Sequence, residues 1–136
     1  MKTRKVRILI GTSEKDILRS ARILLRYHLQ TRGGTMIGSV AGRDDLVRRI
    51  ATDKFDFIVL FGQTLLPSRD RVLPPLKNTA QAIFDITSKV STPIVALSTM
   101  PESRSEVLAA GADVFVAMPY TLKDFTAAVD RCLRHK

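Results

Sequence analysis

At 136 residues the chain has the length of a common single domain and can bury a sizeable core. Its 45% apolar and 26% charged content is ordinary for a globular fold, and no apolar run approaches the ~20 residues of a membrane helix. Twenty-two Lys and Arg against thirteen Asp and Glu leave a net charge of +9, which excludes nothing about fold but favours an anionic partner. The excess is lopsided: residues 1–72 hold fifteen bases and seven acids, residues 73–136 seven and six. The apolar run behind the basic start is too short for a secretory signal, so a cytoplasmic chain without membrane attachment is expected. The single cysteine, Cys132, allows neither an internal disulfide nor a multi-cysteine metal site.

In chain order, the first element is the apolar run Val6–Ile10, which stops at Gly11-Thr12-Ser13. Helical spacing follows from about Glu14 to Gln30, with Ile17, Ala21, Leu24, Leu25 and Leu29 on one face. Met36–Val40 is a weaker strand suited to an edge, and Leu46, Val47 and Ile50 mark a second helix. Phe57–Phe61 is a purely apolar strand, followed by the irregular stretch "FGQTLLPSRDRVLPP". Pro74-Pro75 suit the first turn of a third helix carrying Leu76, Ala80, Ile83, Phe84 and Thr87. Ile94–Leu97 is a fourth strand; Val107–Ala109 lie in a short helix closed by Gly111. Val114–Ala117 is a fifth strand, and Leu122, Phe125, Val129 and Leu133 mark a last helix with Arg131, Arg134 and Lys136 near its end.

Strands that are apolar on both faces and alternate with helices predict a parallel sheet covered on both sides. In such sheets sites gather at the carboxyl ends of the strands. Those ends here are Gly11-Thr12-Ser13, Phe61-Gly62-Gln63, Ser98-Thr99 and Met118-Pro119.

Four segments in this order resemble a response regulator receiver domain of the CheY-like kind. "RILIGTSE" falls where such domains carry an apolar strand followed by an acidic pair. "KFDFIVLFGQTLLP" is similar to the strand that ends in the phosphoacceptor aspartate, and "TPIVALST" to the strand that ends in a Ser or Thr. "LAAGADVFVAMPYTLKDF" is similar to the run of Ala-Gly-Ala-Asp, an aromatic strand and Lys-Pro-Phe. The resemblance implies a three-layer, doubly wound α/β fold, flavodoxin-like, with a five-stranded parallel sheet in the order 2-1-3-4-5. It also implies a place in bacterial two-component signal transduction.

Carried across residue by residue, the resemblance puts Thr12 and Ser13 where the magnesium-binding acids stand. It puts Phe61 or Gly62 at the phosphoacceptor, Met118 at the lysine and Ser98 at the Ser/Thr. Aspartyl phosphorylation requires a carboxylate nucleophile and cations to neutralise the transferring group. Phe61, Gly62 and Met118 supply neither, so no catalysis, metal or cofactor is expected. Ser13 and Asp16, three residues apart, instead have the form of a capping box for the first helix. Phe115 takes the place of the aromatic that changes rotamer in active receivers, and is read as a static face residue or a partner contact. Met118-Pro119 falls where receivers commonly have a cis bond, and cis is expected here.

Lys15, Arg19, Arg22 and Arg26 follow at intervals of four, three and four, an exposed basic stripe on the first helix, with Lys2, Arg4, Lys5 and Arg7 nearby in sequence. His28 has no second ligand-type residue at helical spacing, His135 lies in the terminus, and Tyr120 reads as core. The whole chain, 1–136, is thus expected to be one pseudo-receiver unit that binds a signalling protein or an acidic protein surface. Phe115 and the basic stripe are its candidate contacts, and a homodimer is compatible with them. The alternative is a nucleic-acid or anion-binding module using the basic half, although no aromatic stacking set accompanies it.

Overall fold

The computed structural model describes residues 4–134; Lys2, His135 and Lys136 lie outside the described residues. Strands and helices alternate: β1 (Val6–Gly11), α1 (Lys15–His28), β2 (Thr35–Val40), α2 (Arg43–Thr52) and β3 (Phe57–Phe61) come first. They are followed by α3 (Pro75–Thr87), β4 (Ile94–Ser98), α4 (Ser103–Ala110), β5 (Val114–Ala117) and α5 (Leu122–Arg134). All strand pairs are parallel and the sheet order is β2-β1-β3-β4-β5. The expected order and the expected edge position of the Met36–Val40 strand are both found.

Alternation along the central strands splits the core into two layers. Ile8, Ile10, Phe57, Val59 and Phe61 face α1 and α5, where Leu25, Leu29, Phe125 and Val129 pack on them. Leu9, Ile58, Leu60, Ile94 and Ala96 face the opposite layer and meet Leu46 and Ile50 of α2, Ile83 and Ile86 of α3, and Val107 of α4. Each fully buried side chain of this size contributes about 1.5–3 kcal/mol. The side chains of both faces are therefore committed to the core, and polar groups can gather only at the strand ends.

The amino ends of the strands are closed by carboxylates. Asp56 receives two bonds from the Arg4 guanidinium, at 2.7 and 3.1 Å, and one from the Arg7 backbone N–H at 2.7 Å. Asp113 accepts the Ile94 N–H at 2.8 Å while its own N–H donates back to the Ile94 carbonyl at 2.9 Å. At the same end, α4 stops where Gly111 takes φ +122°, a conformation that a Cβ would strain, so the predicted closure of that helix is found.

The segment between β3 and α3 is irregular, as expected, but it is tied down. A 3-10 turn covers Gly62–Thr64, and Leu66 then forms an isolated parallel bridge with Gly42. The Arg43 N–H donates to the Leu66 carbonyl at 2.9 Å, and the Arg43 guanidinium, itself buried, donates to Asn78 Oδ1 at 3.2 Å. Asn78 in turn donates to the carbonyls of Leu65 and Leu66, and Thr79 Oγ1 donates to the Gly62 carbonyl at 2.5 Å. Further on, Asp44 accepts the Arg69 N–H at 2.9 Å.

One local expectation fails. Glu14, not Ser13, occupies the N-cap of α1, and no side chain caps that helix end. Ser13 is turned away because both its N–H and its hydroxyl donate to the Thr64 carbonyl, at 2.7 and 2.6 Å. Asp16 does lie in the first turn of α1, where its charge complements the helix dipole.

Candidate functional site

The 3-10 turn after β3 organises the carboxyl ends of the strands. Thr12 at the tip of β1 is buried; its hydroxyl lies 2.6 Å from that of Thr64 and accepts the Glu14 N–H at 3.1 Å. Thr64 Oγ1 donates to the Phe61 carbonyl at 3.2 Å. With the Thr64 proton on that carbonyl, the Thr12 hydroxyl donates across the 2.6 Å contact; with it on Thr12, the direction reverses. On the far side of the turn, Gln63 Oε1 accepts from Ser98 Oγ at 3.3 Å and from the Thr99 N–H at 3.1 Å. Ser98 Oγ also receives the Met100 N–H at 3.0 Å, and the Ser98 carbonyl receives the Met118 N–H at 2.8 Å.

The strand tips are therefore joined by two chains of neutral groups, one from Glu14 through Thr12 and Thr64 to Phe61, the other from Met100 through Ser98 to Gln63. Thr12, Ser13, Gly62, Ser98 and Met118 do come together at the strand ends. Phe61 does not offer a group there: its ring is 1% exposed and belongs to the core under α1 and α5. Met118 packs against that same core through an apolar side chain. Gly62 faces β4, and a Cβ on it would lie 3.1 Å from the Leu97 carbonyl oxygen, closer than ordinary contact. The Met118–Pro119 bond is cis, as expected.

Gln63 and Thr64 are the residues that sequence reasoning passed over. The available signal was a charge-free Gly62-Gln63-Thr64 triplet directly behind a strand with no polar residue. A divalent cation such as magnesium prefers several oxygen ligands, at least one of them anionic. The donors gathered here are hydroxyls, one amide and backbone groups, and they do not fit it. Glu14 is exposed at the start of α1. Among the described residues no three His, Cys, Asp or Glu side chains gather closely enough to hold a metal.

Phe115 on β5 is half-buried, not fully exposed. It packs against the α2–α4 layer and, with Gly62, Ser98 and Val107, walls a cavity of about 10 Å³, room for about one water. Its other flank opens on a shallow groove shared with Asp124, Arg131 and Arg134 of α5. Tyr120 stacks on Phe125 with ring centroids 5.0 Å apart, and burial pushes its phenol above the ordinary range.

The α1 stripe is present but not uniform. Lys15, Arg19 and Arg26 are exposed, and with Leu18, Arg22 and Ile23 they line a shallow groove of about 350 Å³. Arg22 departs from the expected exposed stripe: it is half-buried, reaches Ser39 Oγ on β2 at 3.4 Å, and its Nε is buried with no partner. Ile23 and Tyr27 add exposed apolar surface beside it. His28 meets Asp130 of α5 rather than a metal ligand. No described helix is long and apolar enough to cross a membrane.

No family model and no curated protein matches the sequence. Solved structures do match. The receiver domain of a sensor histidine kinase from Pseudomonas aeruginosa, described with magnesium coordinated in its active-site cleft, has a TM-score of 0.75 at 18% identity; the match covers 96% of this chain and 99% of that one. A two-component response regulator from Clostridium difficile gives 0.76 at 22% identity, covering 96% and 97%. The fold is that of a receiver domain. A CheY-like receiver domain protein from Methanospirillum hungatei has the same fold, with a TM-score of 0.73 at 16% identity over 97% and 96% of the two chains. At such identities the likeness is one of architecture, and what this receiver fold does must be argued from its own strand tips.

Proposed function

We propose that the chain, read as one unit over residues 1–136, is a degenerate receiver domain: a regulatory module that binds another protein in signal transduction, independently of phosphorylation and without catalysis. The observation that carries this reading is Phe61. At the end of β3, where the resemblance puts the nucleophile, a phenyl ring is enclosed by the core. The neutral links Thr12–Thr64 and Ser98–Gln63 support it, since they occupy with hydroxyls and an amide the place where phosphoryl transfer needs a carboxylate and cations. Met118 brings a thioether, not an ammonium, to the tip of β5.

Two surfaces suit the partner. One is formed by α4, β5 and α5 around Phe115. The other is the α1 face with Lys15, Arg19, Arg22 and Arg26, where basic groups beside exposed Ile23 and Tyr27 fit an acidic protein surface. The test is incubation with acetyl phosphate, or with beryllofluoride, in the presence of magnesium. The expected result is no added mass and no NMR shift change at Ser98 or Phe115. A phosphoryl adduct, or beryllofluoride-dependent shifts at the strand tips, would overturn the reading. Binding to random-sequence DNA or RNA that weakens steeply with salt would instead favour an anion-binding module.

A further inference from the structure

β2 is one of the two edge strands of the sheet, β5 being the other. The Val6 N–H donates to the Gly34 carbonyl and the Thr12 N–H to the Val40 carbonyl, both at 3.0 Å. Carbonyls along a strand alternate in direction with period two, so the backbone groups of Met36 and Gly38 also point at β1. Those of Thr35, Ile37 and Ser39 therefore point away from the sheet, and among the described residues none of them has a hydrogen-bond partner there. β2 contains no Pro, no Lys and no bulge, the usual devices that blunt an edge.

Arginines flank this edge on both faces. On the α1 face, Arg22 reaches Ser39 and keeps a buried, unpartnered Nε. On the α2 face, Arg49 lies against Gly38, where the missing side chain makes room for it: a Cβ would sit 2.8 Å from its Nη2. Arg49 is bonded to Asp53 at 2.6 Å, and Arg48, next to it, is paired with Asp45; Arg48 and Arg49 line a shallow groove with Ser39 and Val40. A second copy docking edge to edge would bring the arginines of both copies together, a repulsive arrangement.

We infer that β2 is a docking edge for an extended acidic segment of a partner protein. The segment adds a sixth strand by pairing with the outward N–H and C=O groups of Thr35, Ile37 and Ser39, and places successive Asp or Glu side chains, which point to opposite faces of a strand, against Arg22 on one face and Arg48 and Arg49 on the other. Main-chain pairing supplies affinity and the arginines supply choice of partner. The inference rests on reading the chain as a protein-binding module but not on the emptied strand tips, so a beryllofluoride response would leave it standing.

The test uses the whole chain and a synthetic peptide of about eight residues, the length needed to run alongside β2, built of adjacent Glu-Glu pairs separated by Val or Thr so that carboxylates face both sides. Amide hydrogen exchange with the peptide at saturation is expected to slow at Thr35, Ile37 and Ser39 and to stay unchanged at Met36 and Gly38. N-methylating the pairing edge of the peptide, which removes its donors but no charge, is expected to weaken binding at least about tenfold. Arg22→Glu and Arg48→Glu are each expected to weaken it several-fold, with a loss that salt reduces. Protection without the period-two pattern, equal binding of the N-methylated peptide, or the same response to a single-stranded oligonucleotide would each overturn the inference. Peptide-induced shifts confined to α1 or to Phe115 would overturn it too, while leaving the protein-binding reading intact.

Discussion

His28 on α1 and Asp130 on α5 are 102 residues apart in sequence, yet Nε2 of one lies 2.8 Å from Oδ1 of the other. The pair joins the two helices that cover one face of the sheet. Both side chains are partly exposed, at 27% and 35%, so solvent screens their attraction. A double-mutant cycle on His28→Ala and Asp130→Ala by urea unfolding is expected to give a coupling of about 0.5–1 kcal/mol. No measurable coupling would show that the contact is incidental.

Phe61 is the main packing residue at the strand tips. Phe61→Ala is expected to lower stability by about 3–5 kcal/mol, the usual cost of emptying a core site of this size. Phe61→Asp puts a carboxylate at one of the two positions, Phe61 or Gly62, where the resemblance allows the phosphoacceptor, but buries it in the core shared with Val59 and Leu97. It is expected to destabilise more than the alanine variant and to gain no phosphorylation by acetyl phosphate. Chemical denaturation and intact mass read the two outcomes separately.

The carboxyl of Asp44 is held below its ordinary value, chiefly by the Arg69 backbone N–H and then by the Ser68 hydroxyl. A depressed folded value means that its stabilising contribution is complete above the ordinary value of 3.8 and is lost as pH falls through the lower folded value. The stability difference between wild type and Asp44→Asn is therefore expected to be constant near neutrality and to shrink in acid. Growth of that difference in acid would contradict the assignment.

Cys132 behaves as a core residue. Burial, and then the negative charge of Asp113, push its thiol up to about 12 from an ordinary 9.0. The thiolate is the reactive form, so labelling by a thiol reagent near pH 8 is expected to be slow when folded and fast in urea. A raised folded value gives a contribution that is intact below 9.0 and lost as pH rises toward 12, so stability is expected to fall across that alkaline range, and to fall less when Cys132 is replaced by Ala.

The parts of the fold that were legible in the sequence are those set by local patterning. Phe57–Phe61 and Val114–Ala117 are continuous apolar runs that read as buried strands without help from partners; the bounds of both match the observed elements, but only the first is buried throughout, the second being an edge strand that is half-buried. Pro74-Pro75 and Gly111 mark helix ends by their own backbone limits. The residues at the strand tips could be named but their partners could not. Ser13 has the local form of a cap, yet the Thr64 carbonyl, 51 residues on, takes its proton. Arg22 reads as solvated on a helical wheel, but β2 lies close enough to bury part of it. Such choices depend on where distant segments pass, and spacing carries no information about that.

The two neighbouring polar residues buried on α3 have a practical corollary. Asn78 and Thr79 supply the hydrogen-bond donors for three carbonyls of the 62–66 stretch, which has few regular bonds of its own. Its shape is therefore borrowed from the helix behind it. Anyone exchanging that stretch with a homologous scaffold, to install or delete a reactive tip, must move the first two turns of α3 in the same cassette. A graft that takes the loop alone would leave the carbonyls of Gly62, Leu65 and Leu66 without these donors, and the transplanted segment would lose the conformation it was chosen for.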